Sequence, residues 1–135
     1  MLVQLLDPDP ILRDDPVRPR ISPKRRVQGK NRSVYAWVED RQICAIVCMT
    51  HDVFIPTTEK DLFQLDWQSP DKAILYSIWS YEKGCGQKLV RSVLARYRED
   101  RVITTSPKTD MARDFHLRNG AKVLQINKTT VNYEY

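Results

Sequence analysis

The stretch Ala73–Leu94, AILYSIWSYEKGCGQKLVRSVL, constrains the fold more than any other part of the chain. An apolar, strand-like run ends at Ser80, polar and small residues follow with glycines at 84 and 86, and an amphipathic pattern resumes at once. Two glycines one residue apart at a strand-to-helix junction let backbone N–H groups crowd toward a ligand without Cβ interference, and the helix dipole there favours an anion. The stretch reads as a phosphate cradle; a plain strand-to-helix turn is the alternative.

The rest of the chain supplies a sheet around that junction. Leu2–Leu6 predicts a short first strand. Ser33–Glu39 and Gln42–Thr50, rich in β-branched and aromatic residues and separated by Asp40-Arg41, predict an antiparallel hairpin whose second strand is apolar on both faces and therefore central. In His51–Pro70 a short helix is expected, capped by Thr58 with Asp61 three residues on. Ala73–Ser80 predicts a strand buried on both sides. Gln87–Arg98 predicts a helix with Leu89, Val90, Val93, Leu94 and Tyr97 on one face. Arg101–Thr105 predicts a fifth strand, and a second helix starts near Ser106-Pro107 or Thr109 and stops at Asn119-Gly120, where glycine provides a left-handed residue. Strands Lys122–Ile126 and Thr130–Tyr135 close the chain. The order implies an α/β (mixed α+β) fold with helices across a mixed sheet.

At 135 residues with 41% hydrophobic content, one domain over residues 1–135 is expected. No run approaches the roughly 20 apolar residues of a membrane span, and the first residues lack a leader's basic region, so a cytoplasmic protein is expected. Three cysteines without ligand-spaced histidines signal neither a disulfide framework nor a zinc site. Within the net charge of +5, residues 16–38 contain no acid, and Arg18, Arg20, Lys24, Arg25, Arg26, Lys30 and Arg32 all fall there. Residues 7–32 therefore read as a Pro-rich, basic, largely irregular segment with at most one short helical turn. It is either a solvated connection or a patch at Arg18–Arg32 for a polyanion or an acidic protein partner.

Three phosphate-loop templates compete for the glycine junction. A Walker A loop needs G-x-x-x-x-G-K-[ST], but Gln87, Lys88 and Leu89 follow Gly86. A dinucleotide fingerprint needs a glycine where Leu89 stands and an acid about 20 residues later, where Arg101–Thr105 offers none. The third template fits. Tyr81-Glu82-Lys83-Gly84-Cys85-Gly86 resembles the acetyl-CoA loop [QR]-x-x-G-x-[GA] of the GNAT N-acetyltransferase superfamily. TTSPKTDMARDFHLRNGAKVL follows where that superfamily places its second signature. There Ser106 stands at the usual Asn, Ala112 at the alanine, Phe115 and His116 at the aromatic pair, and Gly120-Ala121 at the Gly-Phe. The resemblance covers about residues 34–135 and is nearest to the small GNAT-like proteins of tailed bacteriophages, with an abbreviated N-terminal part.

The resemblance implies a mixed, mostly antiparallel GNAT-like sheet with helices on both faces, and acetyl-CoA as co-substrate. It implies transfer of an acetyl group to an amine of unidentified acceptor. The alternative is a non-catalytic GNAT-fold binding or virion-assembly protein that holds a partner through residues 16–38. Cofactor contacts are implied for Tyr76 and Ile78 (backbone, along the pantetheine arm), Lys83, Gly84, Cys85, Gly86, Gln87 and Lys88 (pyrophosphate), and Ser106. Tyr81 replaces the usual Gln or Arg. Cys85 is a packing residue or a reactive thiol; Lys83 and Lys88 are phosphate partners or plain surface lysines. His116 is either a core-edge residue or the acid that protonates the CoA thiolate in place of the family's tyrosine. No strand carboxylate stands out as the base; Asp52 with His51 is one candidate, and a water chain is the alternative. Trp37, Trp67 and Trp79 are expected in the core or at its rim.

Overall fold

The computed structural model describes residues 1–63 and 68–135, so Trp67 lies outside the described residues. The eight strands are β1 (Leu2–Gln4), β2 (Arg32–Glu39), β3 (Gln42–Asp52), β4 (Lys72–Ser80), β5 (Arg101–Thr104), β6 (Ser106–Pro107), β7 (Lys122–Ile126) and β8 (Thr130–Glu134). They form one sheet in the order β1-β2-β3-β4-β5-β8, in which β6 continues the β5 ladder along β8 and β7 pairs with β8 on its other side. Only β4 and β5 run parallel, as their connection through a helix requires.

Strand alternation sorts the core into two layers. Ile46, Cys48, Ile74 and Tyr76 face one side with Leu12, Ile21 and Leu62 from the covering loops. Ala45, Val47, Met49, Ala73 and Leu75 face the other, against Leu89 and Val93 of helix α2 (Cys85–Arg96). The expected apolar stripe of α2 is thus its buried face, each fully buried aliphatic contributing about 1.5–3 kcal/mol. The Asp40-Arg41 turn takes left-handed φ at both positions, 49° and 66°, which matches the twist of a two-residue hairpin.

Three local expectations shift. Helix α2 starts at Cys85 rather than Gln87, because Gly84 at φ 87° makes the whole turn. Helix α3 (Asp110–Arg118) is capped by the Thr109 hydroxyl, while Ser106-Pro107 extends the sheet. In the 3-10 turn Glu59–Phe63 the Asp61 carboxylate reaches back to Thr57, one residue before the expected Thr58.

Residues 7–32 carry two short helical elements in an otherwise irregular run. They form a 3-10 turn (Pro10–Asp14) and a helix, α1 (Pro23–Val27), started by the Ser22 hydroxyl. Arg26 and Asp15 are wholly buried and paired at 2.6 Å, and Arg26 also donates to the carbonyls of Arg18 and Ile21. Asp15 in turn accepts the N–H groups of Val17 and Arg18. Arg18 and Arg26 are therefore structural cations inside the fold, not part of a surface patch. Asp15 for Arg26, and Glu59 at 3.5 Å for Arg18, supply the counter-charges that make this burial tolerable. Among the described residues, no helix is long and apolar enough to cross a membrane.

Candidate functional site

Strands β4 and β5 part company beyond Leu75, and the site is built in the fork. Register between β3 and β4 slips by one residue, from Cys48–Ser77 to Met49–Leu75, so that Tyr76 is the extra residue of a bulge. The last backbone link across the fork is Thr105 N–H to Leu75 O at 3.0 Å. Past it, the Arg18 guanidinium takes the place of a strand partner: Nη1 donates to Tyr76 O and Nη2 to Thr105 O at 2.9 Å. Arg18 thus braces the two strands apart.

The opening continues into a cavity of about 310 Å³ between the outer half of β4, the start of α2 and helix α3, with Pro16 and Val17 on its remaining wall. At one end Gly84 leaves α2 without a side-chain cap. The N–H groups of Gly86 and Gln87 find no acceptor among the described residues. Gly86 also lets α3 approach, since a Cβ there would lie 3.1 Å from Phe115 Cε1. Within the cavity the Ser77 hydroxyl is buried with no hydrogen-bond partner. Buried hydroxyls normally find one, so an orphan facing a cavity points to a ligand.

Of the residues named from sequence, Tyr76, Ile78, Gly86, Ser106 and His116 line this cavity. Gly84 and the exposed Lys83 and Gln87 stand at the helix start. Four of the named residues already have partners within the protein. The Tyr76 carbonyl accepts from Arg18, and the Ser106 hydroxyl donates to Thr104 Oγ1 at 2.7 Å, which leaves each of them acceptor capacity only. Lys88 is held by Glu39 at 2.6 Å, which cancels the charge offered to a phosphate. Cys85 is turned into the core, where burial raises its thiol pKa; it is not a thiolate nucleophile. Tyr81, in the Gln/Arg position, donates to Asp14 at 2.7 Å and accepts from Trp79, so it ties the loop to the N-terminal segment. Burial and that acid push its phenol up to about 12.

His116 is brought to the cavity. Only 5% of it is exposed, and burial pulls its pKa down to about 4. Burial thus favours the neutral imidazole in the ligand-free fold. Its Nδ1 lies 2.6 Å from the Tyr135 hydroxyl, whose own pKa burial raises. The phenol keeps its proton and can either donate to Nδ1 or accept from it, according to the imidazole tautomer. His51 and Asp52 lie outside the cavity lining: His51 Nε2 meets Ser33 Oγ at 2.9 Å, and Asp52 accepts the N–H groups of Val53 and Phe54. Sequence reasoning missed Arg18, Ser77 and Tyr135. A lone Arg in a basic run, a Ser within a strand and a terminal Tyr carry no local signal.

No family model matches the sequence, and no curated protein matches it. Solved structures do resemble the fold. Malonyl-CoA decarboxylase from Rhodopseudomonas palustris superposes with a TM-score of 0.74 at 14% identity, covering 100% of this chain and 59% of that one. The E. coli protein YhhK, solved in solution bound to coenzyme A, gives 0.63 at 17% identity over 100% and 98% of the two chains. A GNAT-family acetyltransferase candidate from Desulfovibrio desulfuricans gives 0.57 at 17% identity over 78% and 68%. The chain spans about 60% of the length of the decarboxylases that head these structures. At such identities the likeness is one of fold alone, a fold shared by these decarboxylase and acetyltransferase structures.

Proposed function

We propose that the protein binds acetyl-CoA in the β4–β5 fork and transfers the acetyl group to an amine. One observation carries this reading: a single cavity joins a glycine-opened helix start with two unpaired N–H groups to an orphan hydroxyl on a strand edge. Such a helix start suits a pyrophosphate, and the cavity volume is within the range of ligand sites. YhhK, with the same fold and nearly the same length, is a coenzyme A complex.

In this reading Gly84, Gly86 and Gln87 hold the pyrophosphate through their N–H groups, Lys83 faces it at the surface, and Ile78 and Ser77 offer the strand edge to the pantetheine arm. Bound acetyl-CoA supplies an acyl carbon activated as a thioester. The chain's contribution is then positioning, with β4 backbone N–H groups polarising the carbonyl. Neutral His116 offers one ring N–H as a hydrogen-bond donor; as the amine attacks and the C–S bond breaks, CoA leaves as the thiolate, which takes its proton from water. No carboxylate lines the cavity among the described residues, so the acceptor amine must arrive uncharged and shed its proton to water.

A second reading is favoured by those same gaps. With no carboxylate in the cavity lining among the described residues, and with Arg18 bracing the fork, the fold serves in this reading as a coenzyme A-binding protein. Mass spectrometry of a panel of amines and peptides incubated with acetyl-CoA separates the two. Acetylated product, absent with Gly86→Val, supports transfer; a ligand-induced rise in melting temperature with no product on any amine refutes transfer and leaves binding.

A further inference from the structure

The region behind the helix start holds a second constellation. Ligand atoms of Glu39, Cys44, Glu82 and Cys85 all lie within 4.8 Å of one another. They come from four separate places: the end of β2, the start of β3, the loop after β4 and the first residue of α2. Register between β2 and β3 slips at Cys44, from Trp37–Ala45 to Val38–Ile43, and the bulge turns Cys44 to the α2 side beside Ala45. There its sulfur meets Cys85 and lies 4.0 Å from Glu82 Oε2. All three cysteines are free thiols, and Cys48 faces the opposite core layer.

We propose that Glu39, Cys44, Glu82 and Cys85 bind a divalent cation of the zinc class. Two sulfurs and two carboxylate oxygens suit a tetrahedral borderline-soft ion and do not suit magnesium or calcium, which take oxygen ligands. Bonds of about 2.3 Å to sulfur and 2.0 Å to oxygen place ligand atoms roughly 3.3–3.8 Å apart, so the cluster must contract by about 1 Å. Glu82 is exposed and can supply that movement. The outer shell is already built: Trp37 Nε1 at 3.0 Å and Lys88 Nζ at 2.6 Å both donate to Oε1 of Glu39, leaving Oε2 without a donor among the described residues. Lys88 also offsets part of the negative charge that two thiolates and two carboxylates bring to a 2+ ion. Binding releases the two thiol protons to solvent. The bound ion would pin the Glu82–Gly86 loop to β2 and β3, fixing the helix start that opens the cavity. This site stands independently of the coenzyme A reading.

The test is cobalt titration of the reduced full-length chain, read by thiolate-to-cobalt charge transfer in the near ultraviolet and intense visible bands of a tetrahedral ion. Zinc content after dialysis is read by mass spectrometry. One ion per chain is expected, displaced by zinc. Cys44→Ser and Cys85→Ser should abolish the charge-transfer band, and Cys48→Ser should leave it intact. Glu82→Gln, at an exposed position that cannot unfold the chain, should weaken affinity at least tenfold. Substoichiometric metal, an unchanged spectrum in Cys44→Ser, unchanged affinity in Glu82→Gln, or rapid air oxidation to a Cys44–Cys85 disulfide with no cobalt spectrum would each overturn the site.

Discussion

Acidification should destabilise the protein through His116 in a calculable way. Its folded pKa of about 4 lies below the ordinary value of 6.5, so between those values the unfolded chain binds the extra proton. The stability contributed by the neutral ring is fully present above pH 6.5 and is lost as pH falls toward 4. For those two pKa values the loss relative to pH 7.5 is about 1.4 kcal/mol at pH 5.5 and about 2.5 kcal/mol at pH 4.5. Urea unfolding at the three pH values, for the parent and for His116→Gln, isolates this contribution, because other groups titrate in both proteins. The parent should lose about 2.5 kcal/mol more than the variant on going to pH 4.5. Parallel losses would show that the ring titrates normally and is not buried as described. The same pKa predicts that acetyl transfer, once an acceptor is found, keeps its rate from pH 6.5 to 8.5 apart from deprotonation of the amine.

Three further outcomes follow from the geometry. Gly86→Val places a Cβ 3.1 Å from Phe115 Cε1 and covers the helix start, so it should lose the acetyl-CoA melting shift while remaining folded; in the parent that shift reflects about 2.7 kcal/mol at a hundredfold excess of ligand over Kd. Asp15→Asn leaves Arg26 buried without its counter-ion and should cost about 3–5 kcal/mol in urea unfolding, whereas Lys24→Gln on the exposed side of α1 should change stability by less than about 0.5 kcal/mol. Arg18→Met removes the brace between Tyr76 O and Thr105 O, and acetyl-CoA affinity should fall more than stability requires; calorimetric affinity equal to the parent's would return Arg18 to a purely structural role.

The strand, glycine turn and helix were legible because each rests on local chemistry: period two, positive φ and period 3.6. Gly84, Gly120 and the Leu89–Tyr97 stripe all fall where pattern puts them. What sequence could not reveal depends on distant partners. Arg26 looks like Lys24 until Asp15 folds back upon it, and Lys88 looks free until the hairpin brings Glu39 to it across 49 residues. His116 could be named from the second GNAT-like signature, but its charge state is set by burial against Tyr133 and Tyr135, which no spacing encodes. Cys44 and Cys85 are 41 positions apart, and the bulge that aims Cys44 toward α2 exists only in the sheet.

The account rests on the β4–β5 cavity being a coenzyme A site. Amide nitrogen–proton correlation spectra of the labelled protein, recorded during titration with acetyl-CoA, test it most directly. The largest shifts should fall on Gly84, Gly86 and Gln87 at the helix start, with Ser77 and Ile78 following along β4 and saturation at one ligand per chain. Unmoved amides at these positions with millimolar ligand, or shifts confined to another face of the sheet, would contradict it.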